Sequence, residues 1–207
     1  EPIRSTYLVS SADFVAVHAP TYVTKYDTTE DLKEGGTFLL NCPWSVEELE
    51  ERLPGKMKRD LARKHANFYI IDAAKLAVQV GLGEKRINSI LQAAFFALTK
   101  VIPLDMAVED MKKNNYNSYF KKGGQEIVDL NNRAVDVGLT GMTKAEVPAA
   151  WADAKDGAPE ELKGMDFVKE IVVPVDRQHG DKLPVSLFKR HNCLDGTWEN
   201  GTTAYSK

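Results

Sequence analysis

The stretch 81–103 carries the residues whose types and spacing best suit the binding of a ligand. Gly83 permits a close approach to the backbone, and polar or cationic residues follow it at Lys85, Arg86 and Asn88. At the start of a helix, free N–H groups and the positive end of the helix dipole favour anions. The pattern therefore predicts an anion-binding edge, but a glycine cap on the preceding helix followed by solvated charges would produce the same pattern.

Three other candidates, His18, Cys42 and Asp72, follow predicted strands, and parallel sheets bind ligands where their strands end. His18 could act as a general base, but a lone histidine after a strand is more typical of a hydrogen-bonded structural residue. Cys42 could act as a nucleophile only beside a base, which the sequence does not identify. Asp72 is typical of a helix N-cap, and the carboxylates in 47–51 are typical of a solvated face. Because no Walker, serine-elbow or HExxH motif occurs, we expect a module without catalytic residues of its own.

Composition argues against several classes of protein. Of the 207 residues, 43% are hydrophobic and 28% are charged, and no apolar run approaches the roughly 18 residues of a membrane helix. A net charge of −3 argues against nucleic acid as the main partner. The basic cluster 56–64 is more typical of the solvent-exposed face of a helix than of a patch that binds nucleic acid. Two cysteines, Cys42 and Cys193, cannot supply a Cys₄ iron–sulfur or zinc site, and they indicate a reducing compartment. We therefore expect a soluble cytoplasmic protein and, since no initiator Met or signal peptide is present, a segment of a longer chain.

The elements that must position these residues follow from hydrophobic patterning. Short apolar runs at 14–17, 37–41 and 68–71 predict strands buried on both faces. Amphipathic segments predict the intervening helices, with Ser45 and Glu48 as a capping box and a break at Gly123-Gly124. The stretch 87–98 is apolar around most of its circumference and predicts a buried central helix. The pattern indicates an α/β fold with a parallel-type sheet between flanking helices, similar to a Rossmann-like three-layer arrangement, followed by a helical segment at 125–137.

After Gly138 the pattern changes. The remainder is rich in proline and glycine and lacks periodicity, yet Trp151, Phe167 and Phe188 are too apolar for a plain disordered linker. We expect this irregular, extended tail to be ordered by contacts outside the sheet core. The sequence thus predicts a domain at 1–137 and a linker at 138–207 that wraps neighbouring domains.

Several segments in this order resemble one family, the pyruvate:ferredoxin oxidoreductases, and specifically their gamma domain. The similar motifs include Ile3-Arg4-Ser5, Trp44-Ser45-Val46-Glu47-Glu48 and Arg86-Ile87-Asn88 after Gly81-Leu82-Gly83. Further similar segments are 11–16, 22–25, 32–38, 92–96, 101–103, 147–151 and 180–186. The last two resemble the stretch that joins the gamma domain to a ferredoxin-like domain, and a glycine-rich strand and helix that begin the family's gamma domain have no counterpart here.

The resemblance implies a non-catalytic part of an enzyme that oxidatively decarboxylates pyruvate to acetyl-coenzyme A and reduces ferredoxin or flavodoxin. It implies that thiamine diphosphate, Mg and [4Fe–4S] clusters are held by other domains, that this chain alone binds no cofactor or metal, and that the complete enzyme is a homodimer. It also implies a coenzyme A-binding role for Gly83, Arg86 and Asn88. The alternative is a purely structural docking domain without ligand contacts. A nicotinamide-dependent dehydrogenase is disfavoured, because no G-x-G-x-x-G follows a strand.

Overall fold

The computed structural model describes residues 9–157, 162, 164–198 and 202. The described residues form two compact units, one within 9–24 and 28–155 and the other within 25–27 and 156–202. The motif Ile3-Arg4-Ser5 lies outside the described residues.

The sheet of the first unit has the order β1-β2-β3-β4. Strands β1 (Ala12–Val17), β2 (Leu32–Asn41) and β3 (Asn67–Ile71) are parallel, and β4 (Thr143–Lys144) pairs antiparallel with β3. The three predicted strands and the α/β fold class are confirmed. The prediction that β1 is buried on both faces is wrong, because β1 lies at the edge of the sheet and Ala16 is exposed. The two residues of β4 are too few to give an alternating pattern in the sequence.

Two helical layers cover the sheet. Helix α1 (Tyr22–Lys25) lies in this unit up to Thr24, and the other helices of the unit are α2 (Leu49–Arg52), α3 (Gly55–Arg63), α4 (Ala73–Gln79), α5 (Asn88–Thr99) and α6 (Leu104–Thr140). On one face, Phe38, Leu40 and Phe68 pack in a cluster that includes buried residues of α2 and α3. On the other face, Leu39 and Ile71 pack with α4, α5 and α6. The alternation follows from the two-residue period of a strand, and it produces the predicted three layers.

Helix α5 is the buried helix that the sequence predicts. Ile90, Leu91, Ala93 and Ala94 are buried, and α6 packs so closely that a Cβ on Gly138 would lie 2.5 Å from the carbonyl oxygen of Ile90. Glycine at 138 is therefore required by the close approach of the two helices. This packing fixes the start of α5 relative to α6.

Local capping explains where the shorter helices begin. The Glu48 carboxylate accepts a hydrogen bond from the N–H of Ser45 at 2.9 Å, which is half of the predicted capping box. The helix itself begins later than predicted, at Leu49. The Asp72 carboxylate accepts from the N–H of Lys75 at 2.9 Å, which confirms Asp72 as the N-cap of α4.

The segment after α6 returns to the sheet core. A 3₁₀ helix (Ala149–Asp153) buries Trp151 in the same cluster as Phe38 and Phe68. The Arg59 guanidinium donates to the carbonyl oxygen of Ala154 at 2.6 Å. The expectation that Trp151 is ordered by contacts outside the sheet core is therefore wrong. No sequence period connects this tryptophan to α3, because the contact joins distant parts of the chain.

The second unit consists of short helices joined by turns. They are a π-helical turn (Val168–Val172), α7 (Val173–Asp176), a 3₁₀ turn (Gly180–Lys182) and α8 (Val185–Arg190). Phe167, Val168 and Ile171 are buried in a small cluster that also contains Cys193 and is flanked by Phe188. The predicted apolar residues of the tail thus find part of their burial within the tail itself. Within the described part of the chain, no helix has the length and apolar character needed to cross a bilayer.

Candidate functional site

A cleft of about 370 Å³ lies between the start of α5 and the middle of α6. Residues from both elements line it: Lys85, Arg86, Asn88, Ser89, Tyr119, Lys122, Gly123, Ile127 and Asn131. The structure thus brings together Arg86 and Asn88, two of the three residues predicted to bind a ligand. Gly83, the third, precedes them and does not line the cleft.

The turn before α5 explains how Arg86 is positioned. Gly81, with a φ of 92°, ends α4 in a Schellman motif, in which the Gly81 N–H donates to Val78 and the Leu82 N–H donates to Ala77. Gly83, with a φ of 81°, then accepts a hydrogen bond from the N–H of Arg86 at 3.1 Å. The glycine cap on α4 is therefore confirmed, and exposed basic residues follow it directly, so the anion-binding edge stays a prediction.

The first turn of α5 carries no side-chain cap. Its N-cap residue is Ile87, which has no polar atom in its side chain and makes no capping hydrogen bond. The first N–H groups of an uncapped helix have no partner within the helix. Asn88 and Ser89 add amide and hydroxyl groups at the same place. This end of α5 can therefore donate several hydrogen bonds to an anion.

A break in α6 shapes the opposite wall. Gly124 has a φ of 67° and a ψ of −166°, a conformation that is essentially restricted to glycine. The sequence predicted this break at Gly123-Gly124. A Cβ on Gly123 would lie 2.3 Å from Cγ1 of Ile127, so a larger residue would displace a side chain that lines the cleft. The buried Asn131 donates to the carbonyl oxygen of Ile127 at 2.8 Å, one helical turn earlier on the same wall.

The cleft is cationic. Lys85, Arg86 and Lys122 line it, and its lining contains no carboxylate, histidine or cysteine. All three basic side chains are exposed. The lining therefore suits the binding of an anion and offers no strong candidate for proton transfer or nucleophilic attack.

Of the other predicted candidates, Cys42 and Asp72 have structural roles. Burial raises the pKa of Cys42 to about 11, so the thiol stays protonated at neutral pH and is a poor nucleophile. The carbonyl oxygen of His18 accepts from the Asn41 amide at 2.9 Å, and the same Asn41 side chain accepts from the N–H of Ala73. This bridge connects the ends of β1 and β2 to the start of α4. It accounts for Asn41 without a ligand, whereas the His18 imidazole is exposed and lines a second cleft together with Asn88.

The basic cluster 56–64 is also structural. Its side chains contact protein groups: Lys58 donates to Glu50, Arg63 to the carbonyl oxygen of Ala152, and Lys64 to the carbonyl oxygens of Thr29 and Glu30. The indole N–H of Trp151 donates to Glu50 as well. These contacts hold α3 against neighbouring segments, so the cluster is not an exposed patch for nucleic acid.

Sequence reasoning missed the α6 side of the cleft. Tyr119 and Lys122 lie more than thirty residues after Arg86, and only the packing of α5 on α6 brings them to one site. The Gly123-Gly124 pair signalled a change in backbone direction, but it did not indicate which element faces the break.

The cysteines do not fit an iron–sulfur cluster. Such clusters are held by several thiolates, whereas this chain has two cysteines. Cys42 belongs to the first unit and Cys193 to the second, and both are buried. The residues of this chain therefore supply no such ligand set.

Comparisons with known proteins identify the family. A family model described as pyruvate ferredoxin/flavodoxin oxidoreductase matches residues 1–141, and a second, described as a domain of unknown function, matches residues 153–207. The chain is 48% identical to the pyruvate-flavodoxin oxidoreductase of Enterobacter agglomerans over 206 residues, and 44% identical to the pyruvate:ferredoxin oxidoreductase of Moorella thermoacetica over 208 residues. Each match covers 100% of this chain and 17% of the relative. The chain therefore spans a small part of the length of these relatives.

A similar fold occurs in a solved structure, the pyruvate oxidoreductase subunit PORC of Thermotoga maritima. The likeness has a TM-score of 0.50 at 22% identity and covers 67% of each chain. At this identity it bears on the fold alone, and it agrees with the mostly parallel sheet and flanking helices described above.

Proposed function

The chain belongs to the pyruvate ferredoxin/flavodoxin oxidoreductase family, and from this we propose that it forms the gamma-domain part of a cytoplasmic enzyme that oxidatively decarboxylates pyruvate. The reaction yields acetyl-coenzyme A and reduces ferredoxin or flavodoxin. Thiamine diphosphate, Mg and [4Fe–4S] clusters supply the carbanion and electron-transfer chemistry from other domains or subunits of a homodimeric enzyme. This chain is one non-catalytic part of that assembly. The names and coverage of the relatives support the proposal.

Within this enzyme, the cleft helps to form the coenzyme A side of the active site. The observation that carries the proposal is the meeting of Arg86, Lys85 and Asn88 at the uncapped start of α5, in a lining without a carboxylate. Coenzyme A carries phosphates, and a guanidinium binds phosphate through paired, charge-assisted hydrogen bonds. A cationic cleft of this kind matches the chemistry of that ligand.

Each predicted residue has a distinct role in this proposal. Arg86 binds a phosphate, and Asn88 donates hydrogen bonds from the first turn of α5. Gly83 acts indirectly, because its carbonyl oxygen accepts from the N–H of Arg86 and closes the turn that presents the guanidinium. Together the three residues bind and orient the ligand, and the reacting groups lie elsewhere in the enzyme.

The substitution Arg86→Ala in the complete enzyme tests the proposal. Losing a charge-assisted hydrogen bond of about 1.5–3 kcal/mol should raise the KM for coenzyme A about ten- to hundredfold. The melting temperature should not change, because the side chain is exposed. Decarboxylation of pyruvate without coenzyme A should continue at the unmodified rate. Arg133→Ala, which removes an exposed arginine of α6 that does not line the cleft, is the matched control.

A second function, docking without ligand contacts, is favoured by a different observation. The connection from α5 to α6 and the first turn of α6 expose four apolar side chains, Val101, Ile102, Leu104 and Met106. Exposed apolar clusters mark interaction surfaces in soluble proteins. If Arg86→Ala leaves the KM for coenzyme A unchanged, docking is the better account of this domain.

A further inference from the structure

We infer that the outer side of α6 is an interaction surface whose partner is a second copy of this chain, with the two α6 helices antiparallel about a two-fold axis at the level of Met111. The inference goes beyond the coenzyme A site, and it rests on the proposed function only for the homodimeric state of the enzyme. It concerns the part of α6 before the break at Gly124. Three features of this part of the helix support it.

The first feature is a stripe of exposed residues along one side of α6. The other side of the helix is buried in the domain at Ala107, Met111 and Asn115. The stripe consists of five exposed residues, which are Met106, Glu109, Lys113, Tyr116 and Phe120. They follow one another at alternating spacings of three and four, which is the spacing of the contact positions in helices that pack along their length. The stripe therefore has the form of a seam for a second helix.

The second feature is the apolar character of the two ends of the stripe. Met106 is 54% exposed at one end, and Tyr116 and Phe120 are 47% and 41% exposed at the other. The two rings stack with their centroids 4.7 Å apart, so they present one continuous apolar surface. Methionine and aromatic side chains are enriched in protein interfaces. Covering both ends with a partner would remove this apolar surface from water.

The third feature is that the stripe is complementary to its own reverse. In an antiparallel pair of identical helices, a two-fold axis at the level of residue 111 places Glu109 of each copy opposite Lys113 of the other. The same axis places Met106 opposite Tyr116. Opposite charges attract, and a thioether sulfur packs favourably on an aromatic ring. A parallel pair in register would instead bring each charge against its own kind, so the stripe favours the antiparallel arrangement.

The two charges of the stripe are available to a partner. Glu109 and Lys113 lie four positions apart, a spacing at which their side chains could pair within one helix. Within the ranges that the structure describes, however, neither makes an ion pair or a side-chain hydrogen bond. Charged pairs across an interface fix orientation and register more than they add affinity. In this pair of helices the apolar ends supply the burial, and the charged centre selects the direction.

Charge reversal in the complete enzyme tests the inference, with the molar mass measured by analytical ultracentrifugation over a dilution series. Glu109→Lys should raise the dissociation constant of the dimer at least about tenfold, because the two-fold axis repeats the new like-charge contact. Lys113→Glu should have the same effect. The double variant E109K/K113E restores opposite charges and should recover most of the dimerisation. The matched control is Lys121→Glu, which reverses an exposed charge of α6 outside the stripe and should change the constant less than about twofold.

A mixture of the two single variants gives a second measurement. One copy then carries two positive charges in the stripe and the other two negative charges, so the mixture should form dimers more strongly than either variant alone. If neither single reversal changes the dissociation constant, the inference is overturned, and a homodimer formed through another surface leaves the proposed function intact. If both reversals weaken the dimer but neither the double variant nor the mixture recovers it, the two charges do not face each other and the inference is overturned as well.

Two further results would also overturn the inference. If the reversals lower the melting temperature while the dimer persists, another part of the same enzyme covers the stripe. If the unmodified enzyme is a monomer throughout the dilution series, both the inference and the homodimeric state in the proposed function fail. The KM for coenzyme A should not change in any of these variants, because Glu109 and Lys113 do not line the cleft. The outcome at the stripe is therefore independent of the outcome for Arg86→Ala.

Discussion

Two groups of basic residues in the first unit behave in opposite ways. The group on α3 is satisfied by the fold: Arg59, Arg63 and Lys64 donate to backbone carbonyl oxygens of other segments. The group around the cleft, with Lys85, Arg86 and Lys122, makes no such contact among the described residues. Basic residues lie closer together in the sequence in the first group, yet the second group is the better candidate for a ligand-binding site.

The difference concerns what each charge contacts. A guanidinium that donates to a carbonyl oxygen inside the fold stabilises that fold and has fewer free donors for a ligand. A cation that lines a cleft without a partner contributes little to stability and remains available. Substitutions in the two groups should therefore separate effects on stability from effects on ligand binding.

The largest effect is expected for Trp151→Ala. The indole is 5% exposed, packs in the core cluster of the sheet and donates to Glu50. Truncating a buried aromatic side chain costs about 3–5 kcal/mol, so the free energy of unfolding should fall by that amount in chemical denaturation. Trp198→Ala, at a tryptophan that is 49% exposed, is the control. A loss below about 1 kcal/mol at Trp151 would show that the 3₁₀ segment is not part of the core.

A smaller effect is expected for Gly124→Ala. The glycine-only conformation at this position should cost about 1–3 kcal/mol of stability when a Cβ is added. Because the break sets the wall that carries Lys122, binding of coenzyme A should weaken as well. At Gly157, where an added Cβ meets no atom and φ is not positive, alanine should change neither property. Equal stability of the two variants would contradict the proposed strain.

The substitutions Arg59→Ala and Arg86→Ala should have opposite effects on stability and on ligand binding. Arg59 donates to Ala154 in a partly buried hydrogen bond, so its loss should lower the free energy of unfolding by about 1–2 kcal/mol and leave ligand binding unchanged. Arg86→Ala should change stability by no more than a few tenths of a kcal/mol, as is typical of exposed positions, and should weaken binding. Thermal unfolding and coenzyme A titration on both variants measure the contrast. Two arginines with the same profile would remove the distinction between the groups.

The smallest effect is expected from the pH dependence at Asp60. Burial alone would raise the pKa of this carboxyl, but hydrogen bonds from Lys56 and Thr29, both at 2.8 Å, outweigh it and hold the pKa below its ordinary value. The carboxylate therefore stabilises the fold above the unfolded pKa of about 3.9, and this contribution is lost as the pH falls through the lower folded value. Asp60→Asn should reduce stability at pH 7 and flatten its decline in acid. The exposed Asp153→Asn, measured in parallel, should keep the acid decline of the unmodified chain.

Much of the fold followed from local patterns. Apolar runs identified the three parallel strands, the apolar circumference of 87–98 identified the buried α5, and glycine at 123 and 124 identified the break in α6. The family also followed, because motifs in a fixed order are specific even when each is weak. The edge position of β1 could not be predicted, since an apolar run indicates burial without indicating which strand lies beside it.

For the site, the sequence by itself determined the cationic edge with Arg86 and Asn88, because helix starts and glycine turns depend on residues a few positions apart. Only the tertiary structure decided that Lys122 and Tyr119 complete a cleft there, and that the basic residues of α3 contact the backbone instead of a ligand. The physical reason is the same in both cases. Which group a long charged side chain contacts depends on the packing of elements far apart in the chain, and no local period of the sequence encodes that packing.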